Sequence, residues 1–144
     1  MTVATTAQAA STASSLAKLG FSQGQIVLEL GYDADADDDL RFAIEDVTLT
    51  DLEDEDYGDV ADAVLIWFRD GDDDLVDTLV DGLTNLGEGG FLVLCTPKAG
   101  RPDHVEASDI EESAVTAGLH TAGSVNVAPD WATTRLVAPK GQRR

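Results

Sequence analysis

The chain has 144 residues, 43% of them hydrophobic, which suffices for one cored domain and not for two. Its formal net charge is -19 and it holds one cysteine, so an internal disulfide is excluded and direct contact with nucleic-acid phosphates or anionic lipid is opposed. Its longest apolar runs, 63–68 and 91–95, fall far short of the about 20 residues that span a bilayer.

Residues 1–18 are rich in Ala, Thr and Ser and lack the basic start and compact apolar segment of a secretory signal. They read as a disordered or weakly ordered leader, or a fraying helix, and the compartment expected is the cytoplasm. Residues 26–30 are apolar except for Glu29 and lie between Gly24 and Gly31, which predicts a buried strand entering a turn. After the acidic loop 33–39, Leu40, Ala43, Ile44 and Val47 recur at helical spacing behind aspartates, which favour a helix start. Residues 47–52 alternate apolar and polar like a modest strand. Residues 63–68 form the strongest buried-strand pattern.

A second acidic turn, 70–74, precedes Leu75, Val76, Leu79, Val80, Leu83 and Leu86, an amphipathic helix ending at Gly87. Gly89 and Gly90 then lead into a strand over 91–95. Ser108 with Glu111 has the spacing of a capping box, opening a helix that Gly118 closes. Two short strands, 124–128 and 133–137, joined through Pro129, Asp130 and Trp131, predict a hairpin. Strands alternating with helices imply a mainly parallel sheet covered on both faces, an α/β Rossmann-like three-layer sandwich with an antiparallel carboxy-terminal hairpin. The single domain is expected over 19–140, with 141–144 as a basic tail.

The charge is lopsided. Residues 29–81 carry 21 acids against Arg41 and Arg69, while the remainder carries seven acids and seven bases. Adaptation to brine would spread the acids evenly over the chain. In open α/β sheets ligands bind beyond the carboxyl ends of the strands, which places three loops, 31–39, 69–74 and 96–104, at one edge. Two are acidic and the third, TPKAGRPDH, is basic. Their meeting is either plain charge neutralisation or a small polar-ligand pocket built from Tyr32, Asp33, Arg69, Asp70, Thr96, Lys98, Arg101 and His104.

Asp33, Asp35 and Asp37 share the first three ligand spacings of a calcium-binding EF-hand loop, but Asp38 replaces its turn glycine and Ile44 its bidentate glutamate. No metal is expected. His104 and His120 are the only histidines and neither stands in a nucleophile arrangement. Cys95 reads as a buried thiol, and Trp131, if exposed in its turn, would be a partner-binding anchor. No catalytic residue and no cofactor are expected.

The ELG turn after the first strand, the DAVLIWF strand and the LGEGGFLVL passage resemble class I methyltransferases that use S-adenosylmethionine. About a third of that scaffold is missing between the first and central strands, going by the length a βα unit needs. The resemblance implies a glycine-rich cradle after the first strand, yet only Gly31 of the Gly-x-Gly-x-Gly pattern is present, and Tyr32 and aspartates would crowd a cofactor. No G-x-G-x-x-G for a nicotinamide dinucleotide is present either. Over residues 19–140 the chain also resembles a family of small actinobacterial proteins classed only as a domain of unknown function. The strings ELGYDADADDDLRFAIED, DEDYGDVADAVLIWFRD, LVDTLVDGLT, TPKAGR and DWATTRLVAPK carry that likeness, and it implies an actinobacterial protein with no assigned catalytic residues.

Two roles of different kinds follow as expectations. The first is a non-enzymatic protein-binding or regulatory module whose acidic surface, represented by Asp35, Asp37, Asp38, Asp39, Glu53, Asp54, Glu55, Asp56, Asp72, Asp73 and Asp74, docks a basic partner. Mimicry of nucleic acid by ordered aspartates is a special case of it. The second is a protein that binds a small polar ligand or an S-adenosyl-type cofactor at the strand-end loops. Oligomeric state is not legible.

Overall fold

The computed structural model describes residues 6–72 and 74–138, with side chains from residue 12 onward. In chain order the elements are α1 (Thr6–Leu19), β1 (Val27–Leu30), α2 (Asp38–Thr48), β2 (Ala61–Trp67), α3 (Leu75–Thr84), β3 (Leu86–Pro97), α4 (Ala107–Thr116), β4 (His120–Val125) and β5 (Trp131–Val137). The five strands form one sheet in the order β1-β2-β3-β5-β4. β1, β2 and β3 are parallel, and β5 runs antiparallel to both β3 and β4. The α/β architecture with a mostly parallel core and an antiparallel hairpin is the one the alternation of elements predicts.

Alternating side chains of the central strands feed two cores, one on each face of the sheet. Ala63, Leu65, Trp67, Phe91, Val93 and Cys95 pack with Leu16, Leu19, Leu40 and Ile44 on the α1–α2 face. Val64, Ile66, Leu92 and Leu94 pack with Leu79, Ile110 and Ala114 on the α3–α4 face. This two-sided burial is why β2 reads as a continuous apolar run.

Four expectations need correction. Of the two readings of residues 6–18, a disordered or weakly ordered leader or a fraying helix, the first gives way: they lie in α1, and Leu16 and Leu19 are buried against Phe21 and the first core. Residues 47–52 are not a strand. Thr48 still belongs to α2, where its hydroxyl donates to the Ile44 carbonyl, and Leu49 ends the helix in a left-handed conformation, φ 62°. What remains of strand character is one parallel bridge, Leu28 to Glu53, which partly covers the free edge of β1. The third concerns α4, which begins after Glu106 with no side-chain cap, so Ser108 and Glu111 form no capping box. Finally, β3 starts at Leu86, directly after α3, and β4 starts at His120 rather than 124. The basic tail 141–144 lies outside the described residues.

Leu49 is both left-handed and 67% exposed. An L-residue with a side chain is strained there by about 1 kcal/mol, whereas glycine is not. Leu49→Gly is expected to stabilise the fold by about 0.5 kcal/mol after glycine's larger unfolded-state entropy is discounted. Urea unfolding reads this as a higher midpoint at unchanged slope.

Candidate functional site

Aspartates at the starts of α2 and α3 act first as caps. The Asp37 carboxylate accepts from the Leu40 amide and the Asp74 carboxylate from the Val76 and Asp77 amides, which satisfies donors that a helix start leaves open. The acidic loops therefore fold by using several of their own charges.

At the carboxyl ends of β1 and β2 the loops do meet, and Arg69 ties them together. Its guanidinium donates to both carboxylate oxygens of Asp35, to the Gly31 carbonyl at 2.9 Å and to the Trp67 carbonyl at 3.3 Å. It lies 5.3 Å from the Trp131 ring centroid, and the Trp131 indole N–H donates to the Asp35 carbonyl at 3.2 Å. The Arg69 guanidinium bonded to Asp35 holds that carboxyl below the usual carboxylate range, against the opposing effect of burial. Asp72 accepts from the Arg69 amide, and the Asp70 amide donates to the Asp103 carbonyl. The hollow left among Asp35, Arg69, Pro97, Arg101, Pro102, Asp103 and Trp131 is about 120 Å³. Trp131 is 4% exposed and packs edge-to-face on Trp67 at 4.9 Å, so it serves the core and is no exposed anchor.

Behind this seam stands a second network. Glu29, the one polar residue of β1 and 6% exposed, accepts from Arg41 Nε at 2.7 Å, from Arg41 Nη2 at 2.9 Å and from the Trp67 indole N–H at 2.8 Å. Arg41 also reaches Asp38 at 3.2 Å and lies 4.1 Å over the Tyr32 ring. The hydrogen bonds that Arg41 donates to Glu29 raise the affinity of its guanidinium for the proton, with burial opposing. Both arginines of the acidic half are thus neutralised internally, and neither stands free to receive an anionic ligand.

The eight residues expected to form one polar-ligand pocket are divided. Tyr32 lies under Arg41, and Asp33 accepts from the Ala34 amide within its own turn. Arg69 and Asp70 belong to the seam, and Arg101 pairs with Asp130 at 3.2 Å. Thr96, Lys98 and His104 line a different and larger groove of about 540 Å³ on the α4 side. Residues Ser124, Asn126 and Thr134 share that groove. Sequence reading missed them, because a polar hairpin at a sheet edge carries no motif.

Among the residues expected to meet a partner, Glu53 hydrogen-bonds the β1 backbone, Glu55 accepts from the Gly31 amide and Asp54 from the Asp56 amide. Asp38, Asp39, Asp56, Asp72 and Asp74 are exposed, and Asp73 lies outside the described residues. The feature missed was apolar. Phe42 on α2 is 56% exposed, and Asp38, Asp39, Glu45 and Asp46 occupy the positions three and four residues to either side, its neighbours on a helix. Leu49 continues the same stripe. Tyr32, Phe42, Leu49, Val60 and Val80, all within the acidic half, make up five of the six exposed large hydrophobic residues described.

Cys95 is buried and burial pushes its thiol up, leaving no reactive thiolate. Asp33, Asp35 and Asp37 do not converge: among the described residues no group of three or more His, Cys, Asp or Glu is arranged to hold a metal ion. No helix among them is long and apolar enough to cross a membrane.

This sheet order and layering define a Rossmann-like fold of the methyltransferase type. The pyocyanin biosynthetic protein PhzM matches with a TM-score of 0.66 at 13% identity, covering 89% of this chain and 54% of that one. The mitomycin 7-O-methyltransferase MmcR matches with a TM-score of 0.62 at 14% identity, over 92% of this chain and 53% of that one, so the chain spans about half the length of these proteins. At such identities the likeness is one of fold. The chain belongs to the family described as Protein of unknown function (DUF3052), whose model matches residues 16–140. Its relatives include the uncharacterized proteins Rv2239c of Mycobacterium tuberculosis (strain ATCC 25618 / H37Rv) and Mb2263c of Mycobacterium bovis. Each is 49% identical over 125 residues, which is 87% of this chain and 78% of the relative.

The fold class raises the question of an S-adenosyl group beyond β1, and the residues there do not fit one. Pockets that hold cofactors and small molecules run to about 300–1,000 Å³, well above the 120 Å³ hollow at this edge. Gly31, the surviving glycine, turns toward the protein itself: a Cβ on it would lie 2.3 Å from the Trp67 carbonyl oxygen. Its lack of a side chain lets β1 and β2 close on each other.

Proposed function

We propose that this protein is a non-enzymatic binding module that docks a basic partner on its acidic half, with the outer face of α2 at the centre of the contact. The observation that carries this reading is Phe42, an exposed aromatic ring among Asp38, Asp39, Glu45 and Asp46. A ring that can be desolvated at the middle of a contact, within a polar rim, is the usual source of binding energy. Charges around it speed the encounter and select the sign of the partner. The internal pairing of Arg41 and Arg69 leaves that field without exposed positive charge. The partner's chemistry is then a basic surface presenting an apolar pocket or side chain.

The test is affinity capture from a mycobacterial extract at low salt, comparing the native chain with Phe42→Ser and with a triple variant, Asp38→Asn, Asp39→Asn and Asp46→Asn. Phe42 is solvent-facing, so Phe42→Ser is expected to leave stability within about 0.5 kcal/mol while reducing capture at least about tenfold. The triple variant is expected to weaken capture and its salt dependence together. Equal capture by all three proteins, or none by the native chain, defeats the reading. A captured DNA-binding protein that duplex DNA displaces would mark the surface as a mimic of nucleic acid.

A further inference from the structure

The groove on the α4 side stands apart from the acidic surface in both place and charge. It lies against Val105 and Ile110 of the α3–α4 core, whereas α2 packs on the other face of the sheet. The chain has 28 acidic residues, yet no carboxylate lines this groove of about 540 Å³. Its volume falls in the range of small-molecule sites. We infer that it binds a small organic anion, a carboxylate or phosphate ester with an apolar body.

Two groups of positive character, Lys98 and the start of α4, lie at its polar end. Lys98 is held by Asn126, whose side-chain oxygen accepts from Nζ at 2.7 Å. His104 lies beside it with its ring held inside the protein: Nδ1 donates to the Pro97 carbonyl at 2.8 Å and Nε2 lies 3.8 Å from the Glu106 carboxylate. The start of α4 bears no side-chain cap, and its first amides and dipole favour an anion.

A buried hydroxyl supplies the independent sign of a ligand. Thr96 is 1% exposed and lines the groove, and its hydroxyl has no hydrogen-bond partner among the described residues. The only sealed, unsatisfied side-chain atom described is Arg135 Nε, so the Thr96 hydroxyl keeps its access through the groove. Buried polar groups are otherwise paired, and Thr96 lies on the wall of the space a ligand would fill. Ala132, Val105 and Ile110 offer an apolar wall for the rest of the molecule.

Phenyl phosphate, benzoate and inorganic phosphate are the probes, followed by amide NMR on the full chain. Phenyl phosphate or benzoate is expected to give saturable shifts at Thr96, Ala107, Ser108 and Ser124, more tightly than inorganic phosphate, and the tighter of the two tells ester from carboxylate. Lys98→Met is expected to weaken binding about tenfold. Thr96→Val should weaken it several-fold while Thr96→Ser retains it, which separates the hydroxyl from the packing. Shifts that do not saturate by about 10 mM, that fall outside the groove, or that survive Lys98→Met unchanged overturn the proposal. Phe42→Ser should leave this binding untouched, so the groove and the acidic face fail or stand separately.

Discussion

Glu29→Ala is expected to remove about 3–5 kcal/mol of stability, the cost of breaking a buried ion pair by deleting one partner. The Glu29 carboxylate is the shared acceptor of Arg41 and of the indole N–H of Trp67, and Trp67 is itself fully buried at the end of β2. Without the carboxylate, a partly buried guanidinium is left with Asp38 alone and a buried N–H loses its acceptor, both together. Glu29→Gln keeps an oxygen for the indole and loses the charge, so it should cost about half as much. An apolar replacement of both partners, Glu29→Leu with Arg41→Met, should cost less than the sum of the single changes, because neither leaves an unpaired charge. Urea unfolding of the native chain and of these five variants, the two single changes Glu29→Leu and Arg41→Met among them, checks this. A loss under about 1 kcal/mol for Glu29→Ala would mean that water replaces the carboxylate, and that the base of α2 is looser than its burial suggests.

This network explains part of what could be read in the sequence. Glu29 stood out as the one break in an apolar run, but its partners lie 12 and 38 positions away, and no local pattern connects them. The strands were legible where both faces of the sheet are covered, since 63–68 and 91–95 are then apolar at every position. The starts of α2 and α3 were legible because capping is local: Asp37 and Asp74 bond amides two or three residues on. Residues 47–52 misled because alternation over so few positions also fits the end of a helix and its turn. β4 was misplaced for the opposite reason. It is an edge strand, and its residues His120, Gly123 and Ser124 are exposed, so little apolar signal marks it.

The site was legible only as topology. The rule that ligands gather beyond the strand ends brought the right three loops together, and Arg69 does bridge two of them. The division of the expected pocket into a sealed seam and an open groove depends on where long side chains come to rest. Arg69 crosses to Asp35 and Arg101 turns to Asp130, which leaves Thr96, Lys98 and His104 on the α4 side. Phe42 escaped notice because one exposed aromatic on an amphipathic helix cannot be told from a core residue by spacing alone.

Gly31→Ala is expected to cost about 2–4 kcal/mol, although it adds one methyl group. Gly31 has φ +78°, which already strains an L-residue, and the added carbon would meet the Trp67 carbonyl oxygen at 2.3 Å. That oxygen belongs to the backbone of β2, which is fixed on both sides by β1 and β3, so the methyl can be relieved only by moving β1. Such a movement also pulls the Gly31 carbonyl from Arg69 and its amide from Glu55, opening the seam. A cofactor cradle would behave differently: its glycine faces the ligand space, and alanine there would leave folding nearly untouched. Thermal and urea unfolding of Gly31→Ala therefore decide between the two. A fully stable variant would mean that the turn has room to spare, and an S-adenosyl compound would again be a fair ligand to seek at this edge.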